Sequence, residues 1–209
     1  MATPRLLLFD FDGTLADSWP WFLGTLDGTA DRFGLRRITK DQAEALRGQD
    51  SHAVMRALGV PMWKVPRIAA HLKEQAATAP APPLFPGVPA MLRRLAARGI
   101  VLAIASSNTE RQIRRTLGPE LSALIRHVAA EATLFGKATR FRRILRDTGV
   151  PAAEAMAVGD EVRDIEAAQD AGVAAGAVAW GYAWPSILAS RRPHALFDAP
   201  EAIAEYCGA

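Results

Sequence analysis

Four consecutive apolar residues near the start of the chain, Leu6-Leu7-Leu8-Phe9, lead directly into two acids, Asp10 and Asp12. A run without polar alternation suits a strand covered on both faces, as in a parallel sheet, and not one with a wet face. The signature returns at Ile100 to Ala105, Ala155 to Val158 and Ala175 to Trp180, and more weakly at His127 to Ala130. Helical patterns separate these runs: Val88 to Arg98, a stretch through Leu117, an Arg-rich stretch to Thr148, and one ending at Ala171. About five strands alternating with helices predict an α/β fold, a doubly wound parallel sheet with right-handed crossovers, its last strand at Ala175 to Trp180.

One stretch breaks the alternation. From Asp17 to Ala79 the pattern is helical throughout, beginning with Trp19, Phe22, Leu23, Leu26 and Ala30 at three- to four-residue spacing. Thr39-Lys40-Asp41-Gln42 has the form of a capping box opening a second helix through Leu46. Ser51 to Leu58 begins a third, and Pro66 stands at the first turn of a fourth, Ile68 to Ala77. Pro80-Ala81-Pro82-Pro83-Leu84-Phe85-Pro86-Gly87 then excludes both helix and central strand. The helical block therefore reads as an insertion. Residues 17–82 form a helical cap after the first strand, and residues 1–16 and 83–209 form the α/β core.

Composition narrows the partners. Of 209 residues, 50% are hydrophobic and 22% charged, which allows one core with a smaller attached domain. The net charge is only +3, and the arginine clusters at Arg93-Arg94, Arg114-Arg115, Arg140 to Arg146 and Arg191-Arg192 are scattered. Without interleaved aromatics they read as solvated helix faces, so no nucleic-acid partner is expected. Cys207 is the only cysteine, which excludes a disulfide within the chain. No signal peptide is read and no apolar run approaches spanning length, so a cytoplasmic protein with no membrane partner is expected.

Four polar clusters each follow a predicted strand: Asp10/Asp12, Ser106/Ser107/Asn108, Lys137, and Asp160/Asp164. In a parallel sheet all converge on the carboxyl edge, where such folds bind ligands. Asp10 alone would read as a strand-end carboxylate capping backbone amides. Beside Asp12, Gly13 and Thr14 it reads as a nucleophile, able to attack phosphorus and form an acyl phosphate. Asp12, on the same side of an extended chain, would protonate the leaving alkoxide and then activate water. Gly13 permits a tight exit and a close approach of ligand, and Gly13 and Thr14 are expected at the bound phosphate. The Ser106 hydroxyl and the amides of Ser107 and Asn108, at a helix start, form an anion site. Ser107-Asn108-Thr109-Glu110 fits a capping box with Ser107 at the cap, and capping alone would explain Ser107. Lys137 would balance charge on Asp10 and a transferring phosphoryl group. Asp160 and Asp164, with Asp10, offer hard oxygen ligands for Mg²⁺, although acids at a helix start also complement its dipole.

Taken together, Asp10-Phe11-Asp12-Gly13-Thr14-Leu15-Ala16-Asp17-Ser18, Ser106, Lys137 and Gly159-Asp160-Glu161-Val162-Arg163-Asp164 resemble the four motifs of the haloacid dehalogenase-like superfamily. The resemblance is nearest to the phosphoglycolate phosphatase-like hydrolases, covers nearly the whole chain, and extends to their small helical cap. It implies a Rossmann-like core, an aspartyl-phosphate at Asp10, and Mg²⁺ held by the Asp10 carboxylate, the Asp12 backbone carbonyl and Asp160. It implies Asp164 beside the metal or as a partner of Lys137. Asp12 argues against the dehalogenases and phosphonate-cleaving members, which lack that second acid. The expected activity is Mg²⁺-dependent hydrolysis of a small phosphorylated metabolite; a phosphomutase or a non-enzymatic binding protein on the same scaffold are the alternatives. By analogy, Gly48-Gln49-Asp50-Ser51-His52 would dip toward the site. Trp19, Trp21 and Phe22 would line its entrance or pack in the cap, and Met55, Leu58 and Met62 would form cap core.

Overall fold

A computed structural model describes residues 3–46, 55–130 and 136–209. A six-stranded parallel sheet organises the chain, with β1 (Leu6–Phe9), β2 (Val101–Ala105), β3 (Ile125–Ala129), β4 (Ala155–Gly159), β5 (Ala174–Val178) and β6 (Ala195–Phe197) in the order β3-β2-β1-β4-β5-β6. β1 is central, pairing with β2 on one side and β4 on the other, Phe9 lying opposite Ile104 and Val158. Chain order reverses between β1 and β4, which opens the crevice characteristic of such sheets at their carboxyl ends. The helices of the α/β part are α4 (Val88–Ala97), α5 (Glu110–Leu124), α6 (Gly136–Thr148), α7 (Val162–Ala171), α8 (Pro185–Ser190) and α9 (Pro200–Tyr206).

The continuous apolar runs are explained by the two cores. Alternate residues of a strand point to opposite faces. Leu7, Phe9, Leu102, Ile104, Met156 and Val158 pack on one face against Leu92 and Leu95 of α4, Ile113 of α5 and Ile203 of α9. Leu6, Leu8, Ala103, Ala105, Ala155 and Ala157 face the other way, against Phe141 and Ile144 of α6 and Ile165 and Ala168 of α7. The second face is rich in alanine, so α6 and α7 can sit close to the sheet.

Two sequence expectations change here. The sheet does not end at β5: β6, only three residues long, pairs with β5 beyond it. α5 continues past Leu117 to Leu124, through a break at Gly118, whose φ of 69° interrupts the helix before Pro119.

Between β1 and α4 the described residues hold α1 (Trp19–Phe33), α2 (Lys40–Ala45), a 3₁₀ turn at Met62–Lys64 and α3 (Val65–Thr78). α2 carries the expected capping box, Thr39 with Gln42. The two chain crossings into this helical segment run side by side. The Asp17 N–H donates to the Pro83 carbonyl at 2.9 Å and the Phe85 N–H to the Leu15 carbonyl at 3.0 Å. Met62 was expected in an apolar core and is 61% exposed, because the short turn before α3 points it outward. The Gly48 to His52 expectation lies outside the described residues. Among the described residues no helix is long and apolar enough to cross a membrane.

Candidate active site

Asp10 continues the parity of Leu6 and Leu8, so its carboxylate emerges on the face covered by α6 and α7. Those helices bring its neighbours. Lys137, in the first turn of α6, lies 2.8 Å from Asp10 Oδ2 and 2.6 Å from Asp164 Oδ1. Asp164 is fixed in turn by α7, where its Oδ2 accepts the Glu161 N–H at 3.0 Å in a capping box. Asp160, at the end of β4, is wholly buried; the Thr14 hydroxyl donates to Oδ1 and the Tyr182 N–H to Oδ2, both at 2.8 Å. Backbone crowds it from two sides. A Cβ on Gly13, which stands at φ 74°, or on Gly181 would lie 2.1 Å from Asp160 atoms, so only glycine fits.

Asp12 is held separately. Its Oδ1 accepts from Ser18 Oγ at 2.6 Å and its Oδ2 from Asn108 Nδ2 at 2.8 Å. The Asn108 N–H donates to the buried Ser106 hydroxyl at 3.1 Å, which ties the β2 loop to the same acid. Ser18 Oγ also lies 2.5 Å from the Tyr182 hydroxyl, and the Trp19 ring packs on the Tyr182 ring at 5.2 Å. A cavity of about 1190 Å³ opens beside Asp12, lined by Trp19, Trp21 and Phe22 of α1 and by Ser107, Asn108 and Tyr182 across from them.

Charge follows from burial. Desolvation raises the Asp10 carboxyl above its ordinary range, the Lys137 ammonium pulls it back, and Asp164 pushes it up again. Desolvation and the neighbouring Asp164 and Asp10 carry Asp160 well upward. Burial would lower Lys137, but Asp10 and Asp164 outweigh it and hold the amine above its usual value, hence charged. Burial also raises Asp12, against the Ser18 hydrogen bond. Asp10, Asp160 and Asp164 each offer an oxygen, all within 4.8 Å of one another. Three buried carboxylates facing one ammonium leave uncompensated negative charge in a hard-oxygen donor set. A small divalent cation fits both the charge and the donors.

The description "Haloacid dehalogenase-like hydrolase" belongs to the family model that matches residues 7–178. The chain belongs to that family. A phosphoglycolate phosphatase of Synechococcus elongatus is 33% identical over 198 residues, covering 94% of this chain and 93% of its own. Among solved structures, a haloacid dehalogenase-like hydrolase from Streptococcus pneumoniae superposes with a TM-score of 0.84 at 17% identity, covering 99% of each chain. CbbY from Rhodobacter sphaeroides in complex with xylulose-(1,5)bisphosphate gives 0.64 at 21% identity, covering 86% of this chain and 88% of that one. At those identities the two structures speak for the fold alone. The chain is a phosphatase of this family.

Within the phosphatase, Asp10, Lys137, Asp160 and Asp164 form one cluster, and Asp12, Ser106 and Asn108 a second beside it. Several sequence expectations shift. Ser107 does not cap α5: Thr109 does, in a capping box with Gln112, because a β-branched hydroxyl one residue before Glu110 stands in the right extended conformation. Ser107 is left exposed on the cavity, and the amides of Ser107 and Asn108 precede the helix instead of opening it. The Thr14 hydroxyl donates to Asp160 Oδ1, and the Gly13 N–H donates to the Ala16 carbonyl at 2.9 Å. Arg140 was grouped with solvated arginines, yet its guanidinium donates to the Ser106 carbonyl at 2.6 Å. Ser18 enters the sequence reading only as the end of the first motif, and Trp180-Gly181-Tyr182 only as a stretch after the last strand, near the site edge, where packing is the plainer reading. Ser18 carried a signal, since a serine opening a helix is expected to cap it and this one does not. The contact between Ser18 and Tyr182 carried none, the two residues lying 164 apart in the chain.

Proposed function

We propose that this phosphatase is Mg²⁺-dependent and hydrolyses a small organic phosphomonoester through an aspartyl-phosphate on Asp10. The observation that carries this reading is the convergence of Asp10, Lys137, Asp160 and Asp164 at the carboxyl ends of β1 and β4, with Asp12 held alongside. Asp10 attacks the phosphorus, the P–O bond to the alcohol breaks, and Asp12 gives its proton to the departing oxygen. Asp12 then takes a proton from water as the water oxygen attacks the acyl phosphate, returning Asp10 and releasing inorganic phosphate. Lys137 offsets the charge of the phosphoryl group, and the buried Ser106 hydroxyl would donate to it. The Asp10 carboxylate, the Asp12 carbonyl and Asp160 would hold Mg²⁺, with Asp164 beside them anchoring Lys137. When bound, the ion supplies charge neutralisation for the phosphoryl oxygens.

Residues 17–82 act as a cap in this reading, hinged where residues 15–17 pair with 83–85, and their apolar lining excludes water from the chemistry. A cytoplasmic setting fits the one buried, unpaired cysteine, Cys207. The similarity to a phosphoglycolate phosphatase makes phosphoglycolate the first compound to try. The test is phosphate release with Mg²⁺ across small organic phosphates, wild type beside Asp10→Asn. Turnover of one compound, lost in the variant and on removal of Mg²⁺, supports the reading. Silence across the panel, or activity that survives Asp10→Asn, overturns it.

A further inference from the structure

We infer that Tyr182 is a positioning residue for the Asp12 carboxylate, acting through the Ser18 hydroxyl; the inference rests on Asp12 being the proton donor proposed above. A serine has one hydroxyl proton. Ser18 directs it to Asp12 Oδ1 at 2.6 Å, so at the 2.5 Å contact the Tyr182 hydroxyl is the donor and Ser18 the acceptor. The chain Tyr182–Ser18–Asp12 is thus polarised toward the acid, and Asn108 fixes the other carboxylate oxygen.

Ser18 gives up something for this arrangement. It occupies the N-cap of α1, where a serine hydroxyl ordinarily satisfies a backbone N–H and contributes about 1 kcal/mol. Here it makes no cap hydrogen bond. Tyr182 is rigidly supplied from below. Its N–H grips Asp160, Gly181 packs flat on Asp160 and the Gly13 carbonyl, and the Trp180 indole donates to the Thr14 carbonyl at 3.1 Å. Its ring meets Trp19 at the start of α1. One tripeptide after β5 therefore touches the β1 loop, the β4 acid and, through Ser18, the proton donor, just where the chain leaves for the helical segment. Losing the tyrosine hydroxyl should free the Ser18–Asp12 pair to rotate and misplace the proton, while leaving Asp10 and its neighbours in place.

That signature depends on the leaving group. An alkoxide needs protonation to depart, whereas 4-nitrophenolate does not, and kcat/KM reports the steps up to its departure. The experiment compares kcat/KM for phosphoglycolate and for 4-nitrophenyl phosphate in wild type, Tyr182→Phe, Ser18→Ala, Ser18→Thr, the Tyr182→Phe/Ser18→Ala double variant and Asp12→Asn, with thermal melting of each. The expected result for Tyr182→Phe is a loss of about 10- to 100-fold on phosphoglycolate and less than about 3-fold on 4-nitrophenyl phosphate. Ser18→Ala should match it, Ser18→Thr should restore it, and the double variant should lose no more than Ser18→Ala alone. Equal losses on both compounds, no loss, or a gain in rate for Tyr182→Phe would overturn the inference if Asp12→Asn itself shows the leaving-group dependence. If Asp12→Asn shows none, the reading of Asp12 as the proton donor fails first and the inference goes with it.

Discussion

The carboxyl edge of the sheet and the helical segment after β1 are built to different standards. At the edge, β1 buries all four of its residues, and each carboxylate beyond it has a named donor. In the helical segment α3 has no fully buried residue and α1 only Thr29 and Ala30, while Met62 and Trp63 stand exposed. The large apolar cavity lies on that side. Reacting groups gain from preorganisation on rigid elements, so the tight region is suited to the bond-breaking steps proposed for it. A loosely filled apolar wall can accept leaving groups of different shape and move over them, so it is suited to choosing substrate.

The strongest way to break this division is at its centre. Asp10→Asn should cut turnover by about 10⁴-fold or more, since loss of a nucleophile is not shared out among its neighbours. The protein should remain folded, which circular dichroism would check. Next in size is packing. Phe9→Ala removes a wholly buried ring in the main core and should destabilise by about 3–5 kcal/mol in denaturant unfolding. Ile68→Ala on half-buried α3 should lose less than about 1.5 kcal/mol while shifting KM. Equal costs at the two positions would mean that the regions are packed alike and that the division is wrong.

Most of the tight region was legible from residue order. Leu6 to Phe9 announced a doubly covered strand, and Asp10, Ser106 and Asp160 fell at strand ends, which the register places side by side. Thr39 and Gln42 announced a cap by local chemistry alone. What stayed hidden was anything set by distant contact. Tyr182 meets Ser18 and Asp160 only because β5 lies beside β4, and Thr14 turns inward only because Asp160 is there to receive it. β6 was hidden for another reason: Ala195-Leu196-Phe197 is apolar but too short a run to stand out as a strand. Ser107 was misread because two adjacent hydroxyls offered two capping registers, and backbone conformation at Thr109 chose between them.

A smaller effect tests what the acid cluster costs. The Asp160 carboxyl is raised well above 3.8 by desolvation and by Asp164 and Asp10, so folding disfavours its charged form. Between the unfolded and folded values the native state binds more protons, so this group's contribution falls as pH rises through that window. Asp160→Asn should therefore melt about 2–4 °C above wild type at pH 8 without added metal, corresponding to about 1 kcal/mol. The gap should narrow as pH falls toward 4. Mg²⁺ should raise the wild-type melting point and leave that of the variant unmoved. A variant less stable at pH 8 would show that the site's strain lies elsewhere.

The smallest effect tests how the two regions are joined. Arg115, exposed on α5, donates to the carbonyls of Ala77 and Ala79 at 3.3 and 2.9 Å, at the carboxyl end of α3. A guanidinium there satisfies carbonyls that α3 cannot pair itself and complements the helix dipole, worth about 0.3–1 kcal/mol at a wet surface. Arg115→Ala should raise KM about 2- to 5-fold with kcat nearly unchanged, the same energy expressed in a binding constant. The effect should shrink as salt is added, because the contact is exposed. Arg115→Lys should recover only part of it, since a single ammonium cannot serve two carbonyls as a planar fork does. If KM is unmoved by either substitution, the helical segment is held over the cavity by its hinge pairing alone, and its packing has no say in how substrate is bound.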